Sequence, residues 1–229
     1  MSTIDDVSRL PPPTPPPLAP LLEAELAELP AVATRRPLRQ LALLVAISLI
    51  YGAGMLAMLT MRRDMHELPI GWLAGAGLAW LLGFVVPVYL ATVPRAGAVL
   101  PRWKFAGVSA VAGALGFISL GLLIHPTGPS SGHLDWAHFG HGVGCLEFGL
   151  ATALVPVIGG AIFLRGALPV GSRWIAAALG AGGGSLGGLM LHLHCPITDG
   201  LHIGLMHGGV VGVAALLAAA LVPRATDLR

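Results

Sequence analysis

Six stretches of this 229-residue chain are each long and apolar enough to cross a bilayer, and no other feature limits its fold as strongly. A helical span needs roughly 20 mainly apolar residues. Residues 41–60, 70–92, 105–124, 142–164, 174–193 and 204–222 meet that need, and almost no Lys or Arg interrupts them. Hydrophobic residues make up 55% of the chain and charged ones 10%, a balance foreign to soluble domains. Inside lipid the backbone must satisfy its own hydrogen bonds, so each span is a helix. The expected fold is an all-α membrane protein: six transmembrane helices over 40–224, preceded by a short, partly disordered cytoplasmic tail over 1–39.

Loop charge orients the bundle, because Lys and Arg collect on the cytoplasmic side. Arg9, Arg35, Arg36 and Arg39 precede the first span, and Arg95, Arg102 and Lys104 lie between the second and third. Arg165 and Arg173 separate the fourth and fifth, and Arg224 and Arg229 follow the sixth. The opposite side has only Arg62 and Arg63, offset by Asp64 and Glu67. Both termini are therefore expected in the cytoplasm. The first apolar run begins too far into the chain for a cleaved signal peptide, so its span is expected to stay as an anchor. Twelve arginines to one lysine, with heavy use of Ala, Gly, Leu and Pro, is the composition of a GC-rich bacterial genome. The inner membrane is the expected location.

The tail has two parts. Pro11 to Pro17 reads PPPTPPP, a polyproline II former that cannot pack a core and acts as a stiff spacer. LLEAELAEL follows, with Leu22, Leu26 and Leu29 at i, i+4 and i+7 on one helical face. The remaining surface is acidic, which suits a protein partner better than an anionic lipid surface. Arg35 and Arg36 lie just beyond it.

The chemistry gathers at the other end. All nine histidines fall on the outer side or just inside it. Both cysteines accompany them, Cys145 one turn inside the fourth span and Cys195 at the end of the fifth. A disulfide is allowed in the oxidising outer compartment. A soft metal ion (zinc, copper or cadmium) is the second chemistry these residue types support. His138 and His141 precede Cys145 at helical spacing, and His192 and His194 precede Cys195, so these four are the candidate imidazole ligands. Buried cysteines also serve as small hydrophobes, and interfacial histidines are tolerated near headgroups. Glu147, two residues past Cys145, is a costly group to place in a span.

No HExxH, GxSxG or phosphate-binding loop appears, so an enzyme is not expected, and no cofactor is required. A net charge of +2 gives no basis for direct nucleic-acid binding. In the fifth span, Gly180, Gly184 and Gly188, with Gly183 and Gly187, form a seam that lets helices approach closely inside the bundle.

From Leu21 to Pro223 the chain resembles the six-span anti-sigma factors of the NrsF type. The resemblance is carried by ATRRPLRQLAL from Ala33 to Leu43 and by Arg63, Asp64, Leu68, Pro69 and Trp72 in the first outer loop. Cys145-Leu146, Arg165 with Ala167 and Pro169, and the corner His194-Cys195-Pro196 complete it. Ile197 stands where the family usually has Glu, and Met206-His207 where a Trp followed by His or Tyr is common. The resemblance implies a regulator that holds an extracytoplasmic-function sigma factor at the membrane. It further implies release when an outer stress signal acts on Cys145 and Cys195. A small membrane protein that binds or transports a metal or haem through the outer His/Cys cluster is the alternative from another class.

Overall fold

The computed structural model describes residues 36–94, 100–124, 126, 139–165 and 171–226. Leu22, Leu26, Leu29, Arg35 and His138 lie outside them, and His141 is described in its backbone alone.

Six helices are long and apolar enough to cross a membrane, and the described residues include no strand. They are α1 (Pro37–Met58), α2 (Ile70–Thr92), α3 (Arg102–Leu123), α4 (Phe139–Leu164), α5 (Ser172–His194) and α6 (Gly209–Thr226). A seven-residue π-helical segment, His202–Gly208, runs directly into α6 and completes the last span. The all-helical membrane bundle expected from the apolar runs is thus the observed fold. Helix starts fall where the chain chemistry sets them. Pro37 occupies the first turn of α1, where its missing N–H costs nothing, and Pro69 and Pro101 precede α2 and α3. Before α5 the chain turns at Gly171, whose φ of 75° is the left-handed conformation that glycine adopts freely.

One helix forms the centre. Of the α5 span, 89% is buried, against 17% for α1 and 28% for α4. Its glycines explain why. A Cβ on Gly184 would stand 2.6 Å from Val211 Cα in α6, and one on Gly180 would strike the Ala214 carbonyl of the same helix. Gly187 meets the backbone of Gly149 in α4, and Gly188 meets the Trp80 ring of α2. The seam therefore serves packing within the molecule on three sides, which lets α2, α4 and α6 close around one axis.

Three hydroxyl groups inside the bundle are satisfied locally, whereas that of buried Ser48 has no partner among the described residues. Thr92, Thr152 and Ser185 each donate to the carbonyl four residues back, at 2.8, 2.9 and 2.9 Å. Tyr51 reaches from α1 to the Ala151 carbonyl of α4 at 3.3 Å. Apolar side chains such as Ile50, Leu115 and Leu216 face outward, as a lipid-facing surface requires.

Candidate functional site

The loop between α1 and α2 folds against the end of α5, opposite the end where Pro37 opens α1. Arg62 is what pins it. Its backbone N–H donates to the Leu193 carbonyl at 3.0 Å, and its side chain is almost wholly buried. The guanidinium grips Asp64 with two bonds of 2.8 Å, through Nε to Oδ1 and Nη2 to Oδ2. Its remaining donors reach the carbonyls of His192 at 3.3 Å and Pro196 at 3.4 Å. This bidentate pairing holds the Asp64 carboxyl below the usual carboxylate range. The ion pair thus uses Arg62, whereas Arg63, the sequence neighbour of Asp64 in the loop motif, is exposed.

Pinned in this way, the corner after α5 sets Cys195 facing α4. Cys145, on the second turn of α4, donates its S–H to Cys195 Sγ at 3.8 Å. Two cysteines fifty residues apart are thus brought together. The imidazoles that join them are His202 and His207. His202 Nε2 lies 3.4 Å from Cys195 Sγ, and the two imidazole rings stand edge to face at 5.1 Å. One ligand atom from each of Cys145, Cys195, His202 and His207 falls within 4.8 Å of all the others. All but Cys145 are buried.

Local structure explains why these two histidines meet. Asp199 caps the new helix by accepting from the His202 N–H at 2.8 Å. The chain then enters the π-helical segment, whose i→i+5 bonds bring residues five apart toward one face. In an ordinary α-helix His202 and His207 would point about 140° apart. Their joint aim is a product of the π turn.

Of the predicted imidazoles, His192 and His194 are engaged elsewhere. His192 Nε2 donates to the Leu73 carbonyl at 3.1 Å, and its ring tilts against Trp72. His194 Nδ1 is bonded to the Thr60 carbonyl. His192 therefore fastens the first turn of α2 to α5, and His194 fastens the loop between α1 and α2, both outside the four-residue cluster. Glu147 is exposed on α4, away from it.

The donor types suit a soft cation, and two of the separations within the 4.8 Å cluster have the lengths of tetrahedral edges. With metal–sulfur bonds of about 2.3 Å and metal–nitrogen bonds of about 2.0–2.1 Å, a tetrahedral zinc site separates two sulfurs by about 3.8 Å, and sulfur from nitrogen by about 3.5 Å. The observed 3.8 Å between sulfurs and 3.4 Å between Cys195 Sγ and His202 Nε2 match both edges. Donation from Cys145 holds the Cys195 thiol below its ordinary range, and His202 and His207 act in the same direction against the effect of burial. A thiolate is the form that binds metal or attacks an oxidant. His202 Nδ1 and His207 Nε2 are buried without a hydrogen-bond partner among the described residues.

No curated protein and no solved structure matches the chain. A family model does match, NrsF, described as negative regulator of sigma F, over residues 26–227. That match begins ahead of α1 and runs through all six spans and the cysteine pole, and by it the chain belongs to the NrsF family of negative regulators of sigma F.

Proposed function

We propose that this protein is an anti-sigma factor of the bacterial inner membrane that holds an extracytoplasmic-function sigma factor through its cytoplasmic tail. It releases that partner when an outer stress signal acts on the cysteine pole. The observation that carries this proposal is the 3.8 Å approach of the two cysteines within a four-ligand cluster at the end of the bundle opposite Pro37. A signal there lies a full bilayer thickness from the start of α1, so it must act by favouring one bundle arrangement over another. Metal capture or thiol oxidation would each do so by pulling α4, the Cys195 corner and the π segment together. The cluster geometry favours a soft metal, held by Cys145, Cys195, His202 and His207. The sigma factor docks on Leu22, Leu26 and Leu29, with Arg35 and Arg36 adding specificity.

The test uses the full chain and its sigma factor. Co-purification should succeed with the native protein. Leu22→Asp with Leu26→Asp should abolish it while leaving membrane insertion intact, since burying one Leu is worth roughly 1.5–3 kcal/mol. Cadmium or oxidant should release the partner from native protein but not from the Cys145→Ser, Cys195→Ser double variant. Undiminished binding by the tail variant would remove the docking helix, and normal release from the double variant would remove the sensor. The reading as a haem-binding protein is disfavoured, because His202 and His207 come from one segment with adjacent rings. They are not the pair facing across spans that a haem needs.

A further inference from the structure

Beside the thiol cluster, between α2, α3 and the corner after α5, lies a cavity of about 320 Å³. That volume falls within the range of about 300–1,000 Å³ in which small-molecule sites are found. Its walls are aromatic, formed by Trp72, Trp80 and Phe117, with the last two stacked at 3.8 Å. Its mouth opens on the outside of the bundle. Exposed Gly75 lies on one side and half-exposed Leu120 and Ile124 on the other, and a Cβ at Gly75 would meet nothing within 4 Å. Gly75 and Leu120 lie within spans apolar enough to cross a membrane, which favours the lipid as the route of entry.

The polar end of the cavity holds Arg62, His192 and His207. The first two are already engaged, Arg62 by Asp64 and His192 by the Leu73 carbonyl. His207 differs, being 3% exposed with its Nε2 lacking a hydrogen-bond partner among the described residues. A buried polar atom left in that state calls for a partner. Flat aromatic walls, a lipid-side entrance and one hydrogen-bonding group at the inner end define the complementary ligand. It is a lipophilic ring with an oxygen on it.

We propose that this cavity binds a ring lipophile of the phenol and quinone class, with its oxygen hydrogen-bonded to His207. Because His207 is also a member of the thiol cluster, occupancy changes the reactivity of Cys145 and Cys195. That second effect rests on the sensor function proposed above, whereas binding itself does not.

Binding is tested on the full-length protein in nanodiscs with two probes, decylubiquinone for a resident membrane quinone and nonylphenol for a foreign phenol. Quenching of tryptophan fluorescence should saturate, and the two probes should compete. Whichever binds more tightly identifies the source. Gly75→Leu, which blocks the mouth in open space, and Ala79→Phe, which fills the interior, should each weaken binding at least tenfold. His207→Ala should do the same by removing the partner of the ring oxygen. The Cys145→Ser, Cys195→Ser double variant should bind normally, so failure of the sensor and failure of the cavity are separable. In native protein, saturating probe should change the rate of cysteine alkylation severalfold. Non-saturating quenching, or saturable quenching untouched by Gly75→Leu and Ala79→Phe, would overturn the site. Saturable binding with an unchanged alkylation rate would overturn the coupling.

Discussion

Cys195 faces a thiol and two imidazoles at once, and which of them the signal needs can be decided residue by residue. A metal centre needs all four ligands, and its uptake weakens on acidification because the ligands must be deprotonated. Cadmium titration of the purified protein, followed by thiolate charge-transfer absorption, should show one equivalent bound. Cys145→Ser and Cys195→Ser should lose the signal, and His202→Ala and His207→Ala should weaken it, while His192→Ala and His194→Ala should not. A disulfide sensor would instead ignore both His202→Ala and His207→Ala. The cysteines could be picked out from the sequence because each lies beside histidines at the same expected end of an apolar run. The histidines that meet them in the structure could not, because helical spacing does not pair residues five apart, whereas His192 and His194 lie within three residues of Cys195 in sequence and are drawn off by backbone carbonyls. Asp64 gives a separate pH signature. Arg62 lowers its folded pKa below the unfolded value near 3.8, so its stabilisation is complete above about pH 4 and is lost as pH falls through the folded pKa. Asp64→Asn should lower stability at neutral pH by about 1.5–3 kcal/mol, a difference that should shrink in acid. Thermal melts of both proteins across pH would show it.

Among the elements, α5 differs most from its neighbours, and its glycines make it the most sensitive to added volume. Gly184→Leu forces side-chain carbons into the Val211 backbone, where no rotamer change can relieve the clash. Overpacking of this kind costs about 1–3 kcal/mol or more. Gly54→Leu, on the exposed side of α1 with open space beyond its Cβ, should be neutral. Melting curves of the two variants in one detergent provide the comparison. The spacing of the seam was plain in the sequence, as were all six apolar runs. Helix ends were harder to place, and α1 begins at Pro37, ahead of the apolar run at Leu41, because proline suits a first turn. The π segment left no trace, since its composition is that of any glycine-containing apolar span.

For the whole molecule, orientation is the property on which the sensing scheme depends. Arg36, Arg39, Arg102, Lys104, Arg173 and Arg224 all lie at the end of the bundle where α1 begins, and Arg62 and Arg63 at the other. A reporter fused at the C-terminus should therefore be active only if it works in the cytoplasm, and one inserted in the 125–138 loop only if it works in the periplasm. The opposite pattern would put the cysteine pole inside the cell. The central place of α5 also bears on how the protein is made. The most buried span has the lowest hydropathy of the six, and it leaves the ribosome fifth. With insertion in chain order, the four helices that precede it should reach the membrane first, as an open cradle for the helix that fills it. Insertion of α5, the least apolar span, should thus be helped by the helices made before it, and α6 seals the last side. A chain stopped at residue 170 should leave that cradle empty and be degraded quickly in cells. Supplying residues 171–229 as a separate polypeptide should restore its lifetime, as pulse-chase labelling would record.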